Sequence, residues 1–584
     1  MPVKSSLPSF TVPNIDLWTC LFERPSKPFP DEKVIYRDGD TQYSYTYAQV
    51  KQTAIEFGQG LRSSLGWQKN DTLVIFSPNS IDTPALIWGT HWAGGIVSPA
   101  NPGYTVQELA TQLKASAAKA IATQLPYLKT VQAAAQSVGL GHDRIILIGD
   151  SSGGRVYGAR NFRDILNEQI SSSRCVVEDP ANETAFLVYS SGTTGLPKGV
   201  VITHRNVVAN INQNHHAENY LLSPTGGPSG QGDKIIAFLP FYHIYGMETI
   251  LTPNPYYLHV EYPLTAHLGL ICTVHCPLFA GYEAIVLPKF DIEKFCSLIQ
   301  YHRITYAHVV PPVVLQLSKH PVVDKYDLTS IRMMSSGAAP LTRDLVESTL
   351  ARIKVGGIKQ AYGLSETCST SHTQLWDDWH KNVGSVGKLV ANMEAKYMTT
   401  PEDGSAPREV SPGEVGELYV RGPNVFKGYY QNLAATRDVI DADGWFRTGD
   451  VGYEDADGNF FITDRVKELI KYKGFQVAPA ELEGVLVMND AVLDAAVIGI
   501  ESKEAGSEVP LAFVVRSRKS LSSRLDDSQQ AREITDWLNS RVASHKRLRG
   551  GIRFVETIPK SPSGKILRRV LKEQLKELVL QARL

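Results

Sequence analysis

Twelve residues, Tyr189-Ser-Ser-Gly-Thr-Thr-Gly-Leu-Pro-Lys-Gly-Val200, restrict what this 584-residue chain can fold into. The apolar run Ala185-Phe-Leu-Val188 leads into them and Val200-Val-Ile202 leads out, a pattern that predicts strand, tight polar loop, strand. The loop holds Gly192, Gly195 and Gly199, the hydroxyls of Ser190, Ser191, Thr193 and Thr194, and one lysine, Lys198. Glycines let a backbone approach a ligand closely. Successive N–H groups and hydroxyls then surround an anion, and the lysine adds a point charge. A plain Gly-rich hairpin is the alternative, and the density of donors argues against it. A Walker A loop is excluded, because its Gly-Lys-Ser/Thr opens a helix whereas Pro197-Lys198-Gly199 leads into β-branched apolar residues. The stretch reads as a phosphate-holding loop.

Length argues for at least two domains. A net charge of −1 argues against a nucleic-acid partner. Cys272 and Cys276 flank His275 with a spacing that fits no standard zinc site, so they read as buried free thiols in a reducing compartment. No apolar run reaches the ~18–20 residues of a membrane span, and Met1-Pro-Val-Lys-Ser-Ser lacks a signal-peptide core. The end, Ala582-Arg583-Leu584, resembles the small–basic–Leu class of peroxisomal address, so the expected location is the peroxisome, through an import receptor, and otherwise the cytoplasm.

Along the chain, residues 1–45 read as a lead-in. Helices over 45–61, 80–93 and 106–116 alternate with strands over 71–76, 94–98, 120–122 and 144–148, which predicts a covered parallel sheet. A helix over 206–214 follows the loop, and Cys272–Gly281 reads as an apolar helix. The strands Lys234–Leu239, Tyr306–Val310, Ile331–Met334 and Ile358–Tyr362 each stop at small or functional residues, the second of them at a Pro-Pro turn. Ligands of open α/β sheets bind at the carboxyl ends of strands, so these ends are expected to share one cleft. From Gly416 the texture becomes antiparallel, and 468–584 reads as a compact α+β unit. The fold class is α/β: a large N-terminal domain of stacked α/β sheets plus an antiparallel layer over 1–463, a joint at 464–467, and a small mobile domain over 468–584.

Several of these stretches fall in one order: 189–200, 331–340, 360–366, 419–423, 444–450, 464–474 and 559–565. Together they closely resemble the adenylate-forming superfamily, most of all its 4-coumarate-CoA ligase and luciferase branch, over about residues 35–575. The resemblance implies a ligase that activates a carboxylic acid with ATP and Mg²⁺ and passes the acyl group from AMP to coenzyme A. It implies that Ser190 to Lys198 hold the β- and γ-phosphates, that Glu366 binds Mg²⁺, and that Ser365 touches the α-phosphate. Gly337, Ala338 and Ala339 would line the adenine, Tyr362 would stack on it, and Gln360, Ala361 and Gly363 would complete that wall. Asp450 and Arg465 would hold the ribose, with Lys471 and Gln476 near the adenylate. Lys565 would be the catalytic lysine and His243 a gate beside the carboxylate. His243, Ile244, Tyr245, His308, Ser336, Gly337 and Gly363 would line the acyl pocket. Lys473, Gly474, Phe475 and Lys546 would face coenzyme A, and Lys467 would be the hinge. The implied substrate is an aromatic propenoic or phenylacetic acid, or a medium- to long-chain fatty acid, on a monomer or weak dimer. A luciferase-like oxygenase, a carrier-protein-loading enzyme and an inactive binding homologue remain alternatives.

One segment departs from the family. Residues 247–269 interrupt the passage from His243-Ile-Tyr-Gly246 into the apolar stretch, and removing them restores family spacing. Gly246-Met247 permits a GTATG donor, Pro263-Leu-Thr265 a CTAAC branch site and His267-Leu-Gly269 a TAG acceptor. The segment therefore reads as a retained intron, with a genuine surface insertion as the alternative. RNA reads across the junction separate the two.

Overall fold

The computed structural model describes every residue except 1, 150–153, 168–172, 191–197, 219–220, 228–229, 243–268, 340, 402–405, 412, 474, 503–504, 522–524, 561–565 and 582–584. Among the described residues, an eight-stranded sheet runs in the order 428–429, 198–203, 184–190, 96–100, 72–76, 118–123, 145–147, 160–161. A nine-stranded sheet runs 388–389, 372–373, 358–362, 333–336, 306–309, 234–237, 283–286, 34–38, 44–46. The middle of each is parallel, as strands buried on both faces and joined by helices require. Thr72–Phe76 and Ile96–Ala100 are buried at every residue, as is the helix Thr83–Trp92. A five-stranded antiparallel sheet, 3–4, 394–398, 416–421, 446–454, 460–465, forms the third layer.

A neutral side chain bridges the two large sheets. Asn79, just beyond the strand Thr72–Phe76, donates to the carbonyls of Ala237, Leu239 and Leu287 at 3.3, 3.0 and 3.3 Å. Its Oδ1 accepts the Phe241 N–H at 2.8 Å. After Arg465 come a hairpin, Ile470–Tyr472 with Phe475–Val477, and a three-stranded sheet containing Val492–Ser502 and Ser507–Arg516. Its node is Arg568, which donates to Val497 O, to Glu468 and as a fork to Glu483, at 3.0, 2.6 and 2.8–2.9 Å.

Several expectations change. Residues 1–45 are no mere lead-in: Val3–Lys4 pairs with Glu394–Met398, and Val34–Asp38 and Ser44–Thr46 edge the nine-stranded sheet. The antiparallel layer starts at Glu394 instead of Gly416. Pro311-Pro312 opens the helix Pro311–Lys319 rather than making a turn, because proline suits the first helical positions, where N–H groups have no partner. Cys272–Gly281 is a π-helix, Gly269–His275, followed by the short α-helix Cys276–Ala280 with Pro277 at its start. Lys198 belongs to a strand, Lys198–Thr203, paired with Ser190. Cys272 and Cys276 are buried free thiols.

Lys359 is fully buried and bonds Glu218 at 2.6 Å. Tyr306 O–H at 3.1 Å and the Trp376 indole also donate to that carboxylate. Burial alone would raise the Glu218 carboxyl, but Lys359 and these donors hold it below its ordinary value. Lys359→Met strips the charge partner and leaves a buried anion. We expect a loss of about 3–5 kcal/mol in denaturant unfolding.

Candidate active site

The strand Ile358–Tyr362 ends in a turn with no spare room. A Cβ on Gly363 would lie 1.5 Å from the Ser369 carbonyl oxygen, so only glycine lets the chain fold back there. Ser365–Thr367 is a single 3₁₀ turn, pinned by Leu364 N–H to Thr367 Oγ1 at 2.8 Å and by Phe426 N–H to the Glu366 carbonyl at 2.8 Å. Glu366 is thereby aimed at the meeting point of the three sheets.

Two phenol–carboxylate bonds close that point. Tyr362 O–H donates to Asp450 Oδ2 at 2.6 Å, joining the nine-stranded sheet to the antiparallel layer. Tyr429 O–H donates to Glu366 Oε1 at 2.9 Å, joining the eight-stranded sheet to the nine-stranded one. Asp450 is buried, is the cross-strand partner of Arg465, and receives its Nε at 3.0 Å. Lys198 stands with its ammonium 4.9 Å from the centre of the Tyr429 ring. Burial pushes the Glu366 carboxyl up and Asp450 adds to this, while the Tyr429 bond and Arg465 oppose it.

The adenine-side residues gather nearby. Gly337 and Ala338 follow the strand Met333–Ser336, and Ala338 holds φ +82°, a left-handed backbone that favours glycine; Ala339 beside it is exposed. Gln360 accepts the Leu341 N–H at 3.0 Å, and its buried Nε2 has no partner among the described residues. Ser336 Oγ and His308 Nδ1 are likewise buried and unpartnered among the described residues. Ala361 and Ser365 lie in the strand and turn on either side of Gly363. In register, His308 pairs with Ser335 and Ser335 with Lys359. A cavity lined by His308, Glu218, Asn214, Cys272, Cys276 and Phe279 opens beside that row. Burial pushes His308 down to about 4, so its ring is neutral at neutral pH.

The remaining expected residues fall into two groups. Ser191, Gly192, Thr193, Thr194, Gly195, His243, Ile244, Tyr245, Gly474, Lys565 and the terminal Ala582-Arg583-Leu584 lie outside the described residues, as does the inserted segment up to 268. Lys471 and Gln476 face each other across the small hairpin. Lys467 is exposed just past the strand Phe460–Arg465. Phe475 is exposed and its ring stacks on His545 at 4.6 Å, and Lys473 follows Tyr472 with φ +46°. Lys546 is engaged by Glu481 at 2.6 Å.

The sequence family described as AMP-binding enzyme matches residues 22–254 and 249–430, and the AMP-binding enzyme C-terminal domain matches 481–565. The chain belongs to the AMP-binding enzymes. The two pieces of the larger match meet inside the segment 247–269. Among curated relatives, 4-coumarate–CoA ligase 2 of Petroselinum crispum is 36% identical over 579 residues, covering 98% of this chain and 96% of the relative. Probable 4-coumarate–CoA ligase 1 of Dictyostelium discoideum is 36% identical over 576 residues, covering 94% and 95%. ATP-bound MatB from Rhodopseudomonas palustris superposes with a TM-score of 0.80 at 26% identity, over 97% of this chain and 99% of that one. The anthranilate CoA ligase AuaEII with anthranoyl-AMP shares the fold, with a TM-score of 0.81 at 22% identity over 98% and 99%.

Tyr429 escaped the sequence reading. Its short strand, Gly428–Tyr429, has no periodicity to detect, and the available signal was a glycine before twin tyrosines just beyond the matched stretch 419–423. For this AMP-binding enzyme we expect Gly363→Ala to cost about 1–3 kcal/mol in stability. It should also weaken AMP binding about tenfold, as read by calorimetric titration.

Proposed function

We propose that this AMP-binding enzyme is an acyl-CoA ligase: carboxylic acid and ATP give acyl-AMP and pyrophosphate, and attack by the coenzyme A thiol then gives acyl-CoA and AMP. The observation that carries the reading is the convergence of Lys198, Glu366 and Asp450 where three sheets meet. The full-length similarity to curated CoA ligases supports it.

The chemistry needs no nucleophilic side chain, because the substrate carboxylate attacks the α-phosphorus. The enzyme has to hold two anions in line and balance the charge that builds on the phosphates. Lys198, with Ser190 to Gly195, takes the β- and γ-phosphates. Asp450 accepts from the ribose hydroxyls, a role for which a carboxylate held by Tyr362 and Arg465 is well placed. Gly337 to Ala339 and Gln360 to Gly363 form the adenine wall, with Ser365 at the α-phosphate. Glu366 fits a divalent cation: one carboxylate oxygen accepts from Tyr429 at 2.9 Å, and the charge of a second carboxylate, Asp450, acts on it. Mg²⁺ bound there would offset phosphate charge. Lys565 reaches the acid and the α-phosphate from a Gly-containing loop.

The acid enters along His243 to Tyr245, Ser336 and His308. An aromatic acid is favoured by the relatives' names, and the cavity beside His308 is lined by Glu218, Cys272, Cys276 and Phe279. Lys471 and Gln476 approach the adenylate, Lys473 to Phe475 face coenzyme A, and Lys467 is the pivot between the two half-reactions. Lys546 would join the coenzyme A surface only by leaving Glu481, an exposed pair of small cost. Delivery to the peroxisome through Ala582-Arg583-Leu584 belongs to the same reading, and a fluorescent fusion lacking those three residues tests it.

The test of function is a panel of aromatic and fatty acids with ATP and coenzyme A, run on chains with and without 247–269. Pyrophosphate release without thioester would overturn ligation, and no release with any acid would overturn adenylation. Lys565→Ala is expected to slow pyrophosphate release about a hundredfold or more while thioester formation from supplied acyl-AMP stays within about twofold of the parent. Equal loss of both would remove Lys565 from the adenylation step.

A further inference from the structure

We infer that Tyr429 is a positioning residue that holds Lys198 and Glu366 apart, so that each stays available to the nucleotide. The inference rests on the reading of Lys198 as a phosphate ligand and of Glu366 as a metal-facing carboxylate.

Three observations carry it. The Tyr429 hydroxyl donates to Glu366 Oε1 at 2.9 Å. The Lys198 ammonium lies 4.9 Å from the centre of the same ring. The strand register fixes both, since Tyr429 is the direct partner of Val200, which is two residues along the strand from Lys198. Side chains two apart on a strand share a face, so Lys198, Val200 and Tyr429 stand on one side of the sheet. The ring is itself held: Phe426 packs on it edge-on at 5.1 Å, and a Cβ on Gly428 would meet Thr436 Cγ2 at 2.7 Å.

The physical problem is that an ammonium and a carboxylate placed side by side in a sheltered site pair with each other. Such a pair would withdraw a cation from the phosphates and an anion from the metal. The aromatic face seats the ammonium by its quadrupole and brings no competing negative charge. The phenol edge meanwhile satisfies one oxygen of Glu366 with a neutral donor, which leaves the carboxylate its charge. One side chain thus serves both groups while its ring fills the path between them.

The test is calorimetric titration of the full chain with ATP in the absence of divalent metal. Tyr429→Leu is expected to bind ATP about tenfold more weakly, because Lys198 can then reach Glu366. Adding Glu366→Gln to that variant should restore ATP affinity to within about twofold of Glu366→Gln alone, and the double-mutant cycle isolates this coupling from the general effect of removing a negative charge. Additive behaviour overturns the spacing role, as does parental affinity in Tyr429→Leu.

Tyr429→Phe decides the point even where the leucine variant folds poorly. It keeps the ring, so its ATP affinity should stay within about twofold of the parent. An ATP affinity of Tyr429→Phe as weak as that of Tyr429→Leu overturns the inference, because the ring is then not what keeps Lys198 from Glu366. If Lys198→Ala binds ATP as the parent does, the phosphate reading of the loop fails and the inference falls with it, a result distinct from additivity in the cycle.

Discussion

Everything in the cleft depends on how three sheets are brought to one point, and two phenol–carboxylate bonds do this. Tyr362 to Asp450 and Tyr429 to Glu366 each run from one sheet to another. A phenol is a rigid donor with an apolar body, so it spans the gap between layers, fills it, and ends on a charge. The carboxylates are the groups that would face ribose and metal. The bonds that assemble the layers therefore also set the charge of the site, and a layer cannot shift without moving a functional carboxylate.

The parts of this arrangement that obey local rules were legible in the sequence. Thr72–Phe76 and Tyr306–Val309 announce themselves as apolar runs. Glu366 and Asp450 were singled out through the family resemblance: Glu366 lies in the turn after Ile358–Tyr362, whereas Asp450 lies inside the strand Phe446–Glu454, where local pattern alone does not mark it. Long-range pairing was not legible. Val3–Lys4 reads as tail because its partner, Glu394–Met398, lies nearly four hundred residues away. Asn79 resembles any polar residue after a strand until three carbonyls from the other sheet are seen around it. Pro311-Pro312 opens a helix where a turn was expected because the same dipeptide serves turns and helix starts, and only the burial of Val313, Val314 and Leu317 on one face separates them.

The region around Glu218 shows a different economy. Lys359, Tyr306 and Trp376 all serve one carboxylate, and His308 beside them is kept neutral by burial. The ion pair is internally balanced, so Glu218, which lines the cavity beside His308, brings no net charge there. The nucleotide side differs, with Lys198, Glu366, Asp450 and Arg465 close together.

The Asn79 joint has a consequence for how the molecule responds to its solvent. It is made of amide and carbonyl dipoles, which salt screens little. The seam between the strand Phe460–Arg465 and the residues that follow it is built largely from ions: Asp464 receives the Ala480 N–H at 3.1 Å, and Arg568 faces Asp464, Glu468 and Glu483. Ionic strength thus acts on the two unequally. The amide joint is insulated from it, whereas the ionic seam is open to it, so added electrolyte weakens the seam and leaves the Asn79 joint as it was.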